Sequence, residues 1–232
     1  VTVNGEKMSK SKGTFITANQ FADAILHYNK AIDLKPDFAA SYFNLGVAHQ
    51  DKGNIKLALK SYKMAIKLNT NYLEAYFNLG GLLHETGNFE EAIDNYKCIL
   101  KLKPDHPETY NNMGNTLKEM SKPELAIKYF KKAIKFNPNF AEAYNNQGNW
   151  LRDKGFLNES IISLEKAISL KENYQDAFFN LGNSLKDQGK YDTALNYYDK
   201  ATKNNYYFPE AKYERIYLRQ QICDWNELKQ LE

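Results

Sequence analysis

The chain has 232 residues, 43% of them hydrophobic and 25% charged, and a formal net charge of +3. Basic and acidic residues are interspersed, which gives no case for nucleic acid or an anionic membrane surface as a partner. No apolar run reaches the roughly 20 residues of a membrane-spanning helix, and no charged-then-apolar leader opens the chain. Cys98 and Cys223, far apart in sequence, point to a reducing, cytoplasmic compartment rather than a disulfide framework. The chain opens on Val1 rather than Met, which reads as a fragment or a processed chain.

Taken in chain order, residues 1–16 carry no helical apolar period. Ala24, Tyr28 and Ala31 then predict a helix over about 21–34, ended by Pro36. From residue 39 a 34-residue period takes over. Gly46, Gly80, Gly114, Gly148 and Gly182 mark five units, 39–72, 73–106, 107–140, 141–174 and 175–208. A fixed period of this length predicts stacked helix pairs rather than one globule around a cleft. In each second helix a small residue recurs: Ala58, Ala92, Ala126, Ser160, Ala194. Four positions on comes a large one: Tyr62, Tyr96, Phe130, Leu164, Tyr198. Three further come Ala65, Ile99, Ala133, Ala167 and Ala201, so all three sets share one helical face. Gly53, Gly87, Gly155 and Gly189 separate the two helices of a pair, where a positive φ is expected. Ser121 stands at that place in the third unit, followed by Pro123, which a first helical turn tolerates. Pro104 and Pro138 end second helices, as Pro36 does.

This pattern resembles the tetratricopeptide repeat (TPR) over about residues 19–221. The resemblance implies an all-α fold, a right-handed TPR solenoid of antiparallel helix pairs. It also implies that first helices line a concave groove that takes an extended peptide or a partner protein. The expected domains are 1–18, a TPR array over 19–208 (a half repeat and five full ones), and a capping helix and linker over 209–232.

Both ends depart from the repeat. Lys7, Met8, Ser9, Lys10 and Ser11, flanked by Val-Thr-Val-Asn-Gly and Lys-Gly-Thr-Phe-Ile, resemble the KMSKS loop of methionyl-tRNA synthetase. In that family the loop closes over ATP, and its second lysine, here Lys10, holds the phosphates. No nucleotide-binding sheet or His-Ile-Gly-His-type motif accompanies it. The segment is therefore expected to be inactive and without regular structure, as a fusion scar. At the other end Ile222-Cys-Asp-Trp225 resembles the join between repeats and catalytic region in O-GlcNAc transferase-like glycosyltransferases. Asp224 and Glu227 are placed to cap a helix there. The block Asn112-Met-Gly-Asn-Thr-Leu-Lys-Glu-Met120 also looks like that family's repeats.

Asparagine holds the sixth position of every complete unit: Asn44, Asn78, Asn112, Asn146 and Asn180. Asn115, Asn149 and Asn183 repeat it one turn on. Asparagine is a mediocre helix former, so propensity does not place five in register. Each amide offers a donor and an acceptor, and a row of them can pair with a peptide backbone. In O-GlcNAc transferase-like proteins the asparagines at this position do so, which is what the resemblance implies here. The alternative is that they bond between adjacent repeats or face water.

The fifth position (Phe43, Phe77, Asn111, Asn145, Phe179) holds no cation, against a clamp for C-terminal carboxylates. Lys118, Arg152 and Lys186 are each followed by an acid, Glu119, Asp153 and Asp187, and read as a solvated rim. His27, His49, His84 and His106 lie on separate units, so no metal site, cofactor or catalytic group is expected. Cys98 reads as a passive thiol, and Trp150 fits either groove or core. The expected function is a peptide-binding TPR scaffold, the substrate-recruiting region of an O-GlcNAc transferase-like enzyme without its catalytic half. The alternatives are a stand-alone assembly scaffold and a TPR-tailed piece of a methionyl-tRNA synthetase.

Overall fold

The structure, a computed structural model, describes residues 2–3, 6–8, 15–203 and 208–222, with side chains from residue 21 onward. It divides into two compact units, Val1–Asp105 and His106–Glu232.

The first unit opens with three short strands, β1 (Thr2–Val3), β2 (Glu6–Met8) and β3 (Phe15–Thr17). They pair antiparallel in the order β1-β2-β3, with Lys7 opposite Thr2 on one side and Ile16 on the other. Regular pairing thus stands where the sequence suggests none. Five helices follow: α1 (Ala18–Leu34), α2 (Ala39–Asp51), α3 (Ile55–Leu68), α4 (Leu73–Glu85) and α5 (Phe89–Leu102). The second unit holds α6 (Pro107–Glu119), α7 (Pro123–Phe136), α8 (Ala141–Asp153), α9 (Leu157–Leu170), α10 (Gln175–Asp187), α11 (Tyr191–Thr202) and α12 (Pro209–Gln221). The body of the chain is an all-α repeat of helix pairs, each helix packed on the next within its unit.

The turn inside each pair follows from backbone chemistry. The second residue after the first helix has φ of 83°, 78°, 80° and 79° at Gly53, Gly87, Gly155 and Gly189. Ser121 takes the same left-handed conformation at φ 56°. There the following N–H reaches five residues back to a helical carbonyl, Asn54 to His49 at 2.8 Å and Lys122 to Leu117 at 2.8 Å. This is the Schellman closure, which satisfies the last carbonyls of the first helix.

The core of each pair is a ring set on a glycine. A Cβ on Gly46 would lie 2.6 Å from the Tyr62 ring, and one on Gly114 2.5 Å from Phe130. Ala58, Ala92, Ala126, Ser160 and Ala194 are fully buried, so helices approach closely beside the ring. In the fourth unit Leu164 replaces the ring and Ser160 the alanine. The Ser160 hydroxyl donates to the Gly148 carbonyl at 2.8 Å and lies 2.9 Å from the Ser184 hydroxyl, so the buried polar atom is satisfied. At the end of the second unit α12 adds Leu218 to a cluster with Leu181, Leu185, Leu195 and Tyr198.

Candidate functional site: the first-helix face of the second unit

In the second unit the first helices of successive pairs touch directly, α6 with α8 and α8 with α10. Two amide links join them. The Asn146 amide donates to Asn111 Oδ1 at 3.0 Å, and the Asn180 amide donates to Asn145 Oδ1 at 2.9 Å. Both links span 35 residues, one repeat plus one position. The fifth-position acceptors are buried, Asn111 at 1% and Asn145 at 6% exposure. Asn111 in turn donates to Glu142 Oε1 at 3.1 Å.

The sixth-position asparagines are all half-buried. In the second unit Asn146 and Asn180 tie adjacent repeats in the same way. In the first unit Asn78 hydrogen-bonds the Tyr62 hydroxyl, which also donates to Gln50 Oε1 at 2.7 Å. The second row splits as well. Asn115 lines a groove, whereas Asn183, 9% exposed, faces the core and accepts from the Tyr198 hydroxyl at 2.7 Å. Asn149 is half-buried, and its Oδ1 is buried without a partner among the described residues. Trp150 is buried and belongs to the core. Lys7 and Met8 fall in β2, while Ser9, Lys10, Ser11, Cys223, Asp224 and Glu227 lie outside the described residues.

A groove of about 560 Å³ opens on this face. Asn115, Asn145, Asn146 and Asn180 supply its amides, and Tyr174, Phe179 and Phe208 its rings. Phe179 and Phe208 meet edge to face at 5.2 Å between centroids. The Lys171 ammonium lies 4.5 Å over the Tyr174 ring. Burial raises the Tyr174 pKa, with Glu142 and Asp176 adding to the effect, so the phenol stays a neutral donor. The rim bases reach across repeats: Lys118 pairs with Asp153 at 2.8 Å and Arg152 with Asp187 at 3.8 Å. Lys186 likewise reaches Glu214 of α12 at 2.6 Å. What this face offers is hydrogen bonding and ring surface. Among the described residues no three His, Cys, Asp or Glu side chains gather to hold a metal ion.

The doublets Asn111-Asn112 and Asn145-Asn146 are the sequence signal for the amide links.

Comparison with known proteins places the chain. The tetratricopeptide repeat profile matches residues 107–140 and 176–205, and a second TPR repeat profile matches 15–53, 51–87, 81–121 and 148–189. The chain belongs to the tetratricopeptide repeat family. Among solved structures it is similar to YrrB, described as a TPR protein with an unusual peptide-binding site, at 24% identity and a TM-score of 0.60. That match covers 83% of this chain and 99% of YrrB. MamA matches at 27% identity and a TM-score of 0.60 over 68% of this chain and 93% of its own. PilF of Pseudomonas aeruginosa matches at 20% identity and a TM-score of 0.72, over 85% and 90%. A comparison with curated proteins returns no match. No described helix is long and apolar enough to cross a membrane.

Proposed function

We propose that the chain is a polypeptide-binding repeat scaffold that takes an extended peptide along the first-helix face of its second unit. The observation that carries this reading is the groove in which amides of three successive first helices, at Asn115, Asn146 and Asn180, stand beside the rings of Phe179 and Phe208. The inter-repeat bonds support it rather than compete with it. One N–H of Asn180 is held by Asn145, which orients the amide and leaves its oxygen and second N–H for a ligand. Orientation in advance lowers the entropy lost on binding. Pairing with backbone groups reads extension, not side chains, so the scaffold accepts peptides of unrelated sequence.

YrrB, with its peptide-binding site, is the similar structure that fits this reading most directly. The narrower reading, a recruiting region for an O-GlcNAc transferase-like enzyme, rests on the sequence resemblance at Asn112–Met120 and Ile222–Trp225 alone, and a binding scaffold needs neither. A test uses a panel of fluorescent, unrelated 15-residue unstructured peptides. Asn115, Asn146 and Asn180 are changed together to Ala, with thermal unfolding measured alongside because Asn146 and Asn180 also bond between repeats. At roughly 0.5–1.5 kcal/mol per hydrogen bond, three amides are worth about one to three decades of affinity. The loss should be similar for every peptide that binds the wild type. Unchanged affinity would sink the proposal.

A further inference from the structure

A second groove, of about 600 Å³, lies in the first unit between α1, α2 and α3. Its floor is apolar: Ile32 of α1, Tyr42 and Leu45 of α2, Leu57 and Met64 of α3. Leu57 is 48% exposed, so part of this surface meets water. The rim is basic, with Lys60, Lys63 and Lys67 along α3, and no acidic residue among the described ones lines the groove. Lys63 reaches Glu91 at 3.3 Å in a pair exposed on both sides. Lys60 and Lys67 make no ion pair among the described residues. At the floor His49 is 8% exposed, and its Nδ1 is buried with no hydrogen-bond partner among the described residues. Burial, and then Lys52, lower its pKa, so the floor carries no charge at neutral pH.

The repeat does not impose this chemistry. The place of the same register in the second unit, between α7, α8 and α9, holds Gln147 where this groove has Leu45. It holds Glu159 in place of Leu57 and Ile162 in place of Lys60.

We propose that the first-unit groove docks an acidic amphipathic helix of a partner protein. Its apolar stripe covers Ile32, Leu45, Leu57 and Met64, and its carboxylates face Lys60, Lys63 and Lys67. Spacing selects a helix over a strand. Lys60 and Lys67 are seven residues apart on α3, about 10.5 Å along its axis, and a helix laid alongside offers carboxylates at the same interval. On a strand, same-face side chains recur about every 6.7 Å and fall out of step. A bilayer also offers anions beside apolar matter, but a flat surface cannot enter a groove walled by α1 and α3. This site is independent of the amide groove and rests on a different observation.

The test uses an 18-residue peptide with leucine at helical spacing flanked by glutamate, and its control with every glutamate replaced by glutamine. The acidic peptide should bind the full chain, more weakly as salt rises, and about tenfold or more tighter than the control. The double variant K60E/K67E alters exposed side chains only; an unchanged melting curve certifies its fold. It should lose the acidic peptide and gain a version carrying lysine in place of glutamate. Leu57→Glu should weaken the acidic peptide too. Equal binding of the glutamate and glutamine peptides, no response to K60E/K67E, or a preference for phosphatidylserine vesicles over the peptide would each overturn the proposal.

Discussion

At the scale of single residues, adjacent glycines separate two kinds of requirement. A Cβ on Gly80 would sit 2.6 Å from the buried Tyr96 ring, while a Cβ on Gly81 meets nothing within 4 Å. Gly80→Ala should therefore destabilise the protein by about 1–3 kcal/mol through overpacking. Gly81→Ala should stabilise it by about 0.5–1 kcal/mol, because alanine orders into a helix at lower entropic cost. Urea unfolding of the two variants side by side checks both signs. Ser121 is the complementary case, a side chain held at φ 56° where four other units use glycine. Removing its Cβ relieves about 1 kcal/mol of left-handed strain, so Ser121→Gly should raise the unfolding midpoint. A lowered midpoint would mean that the serine side chain contributes more than the strain costs.

At the scale of elements, α12 packs on the core of the second unit. Leu218 is fully buried against Leu181 and Tyr198, and Asp199 of α11 accepts from Arg215 at 2.7 Å. Leu218→Ala should cost about 2–5 kcal/mol, whereas Arg215→Ala removes a pair that is half-exposed on the Asp199 side and should cost less than about 1 kcal/mol. Comparable losses from the two would contradict this ranking. The glycine, small-residue and ring positions are legible in the sequence because they need only residue size at fixed spacing, whereas the seating of each ring on the first-helix glycine emerges only in the fold. The positive φ at Ser121 is legible too, since register alone assigns it. The amide links are harder to read, because Asn146 bonds to the fifth rather than the sixth position of the preceding repeat. The contact is displaced by one residue from the 34-residue period, so the period itself does not carry it. Asn183 misleads for another reason. Its period matches Asn115, but the Tyr198 hydroxyl opposite it draws the amide into the core, whereas Phe130 has no hydroxyl to do the same. The strands before α1 are two or three residues long, too short for alternation to register.

At the scale of the molecule, buried rings make stability depend on pH at the alkaline end. Burial raises the pKa of Tyr62, Tyr174 and Tyr198 above the ordinary value of 10. The unfolded chain then loses these protons first. Their contribution is complete below about pH 10 and fades as pH rises beyond it. Melting temperature should fall steeply above pH 10, and Tyr198→Phe should flatten that fall while removing the bond to Asn183. Whether the first-helix face of the second unit takes a polypeptide, as proposed, is a question of contact. Photo-crosslinking answers it most directly: a bound 15-residue peptide carrying a benzophenone at successive positions is irradiated, and the attached residues are mapped by mass spectrometry. Adducts on α6, α8 and α10, moving from one helix to the next as the benzophenone moves along the peptide, are the predicted result. Adducts confined to α7, α9 and α11 would contradict the account.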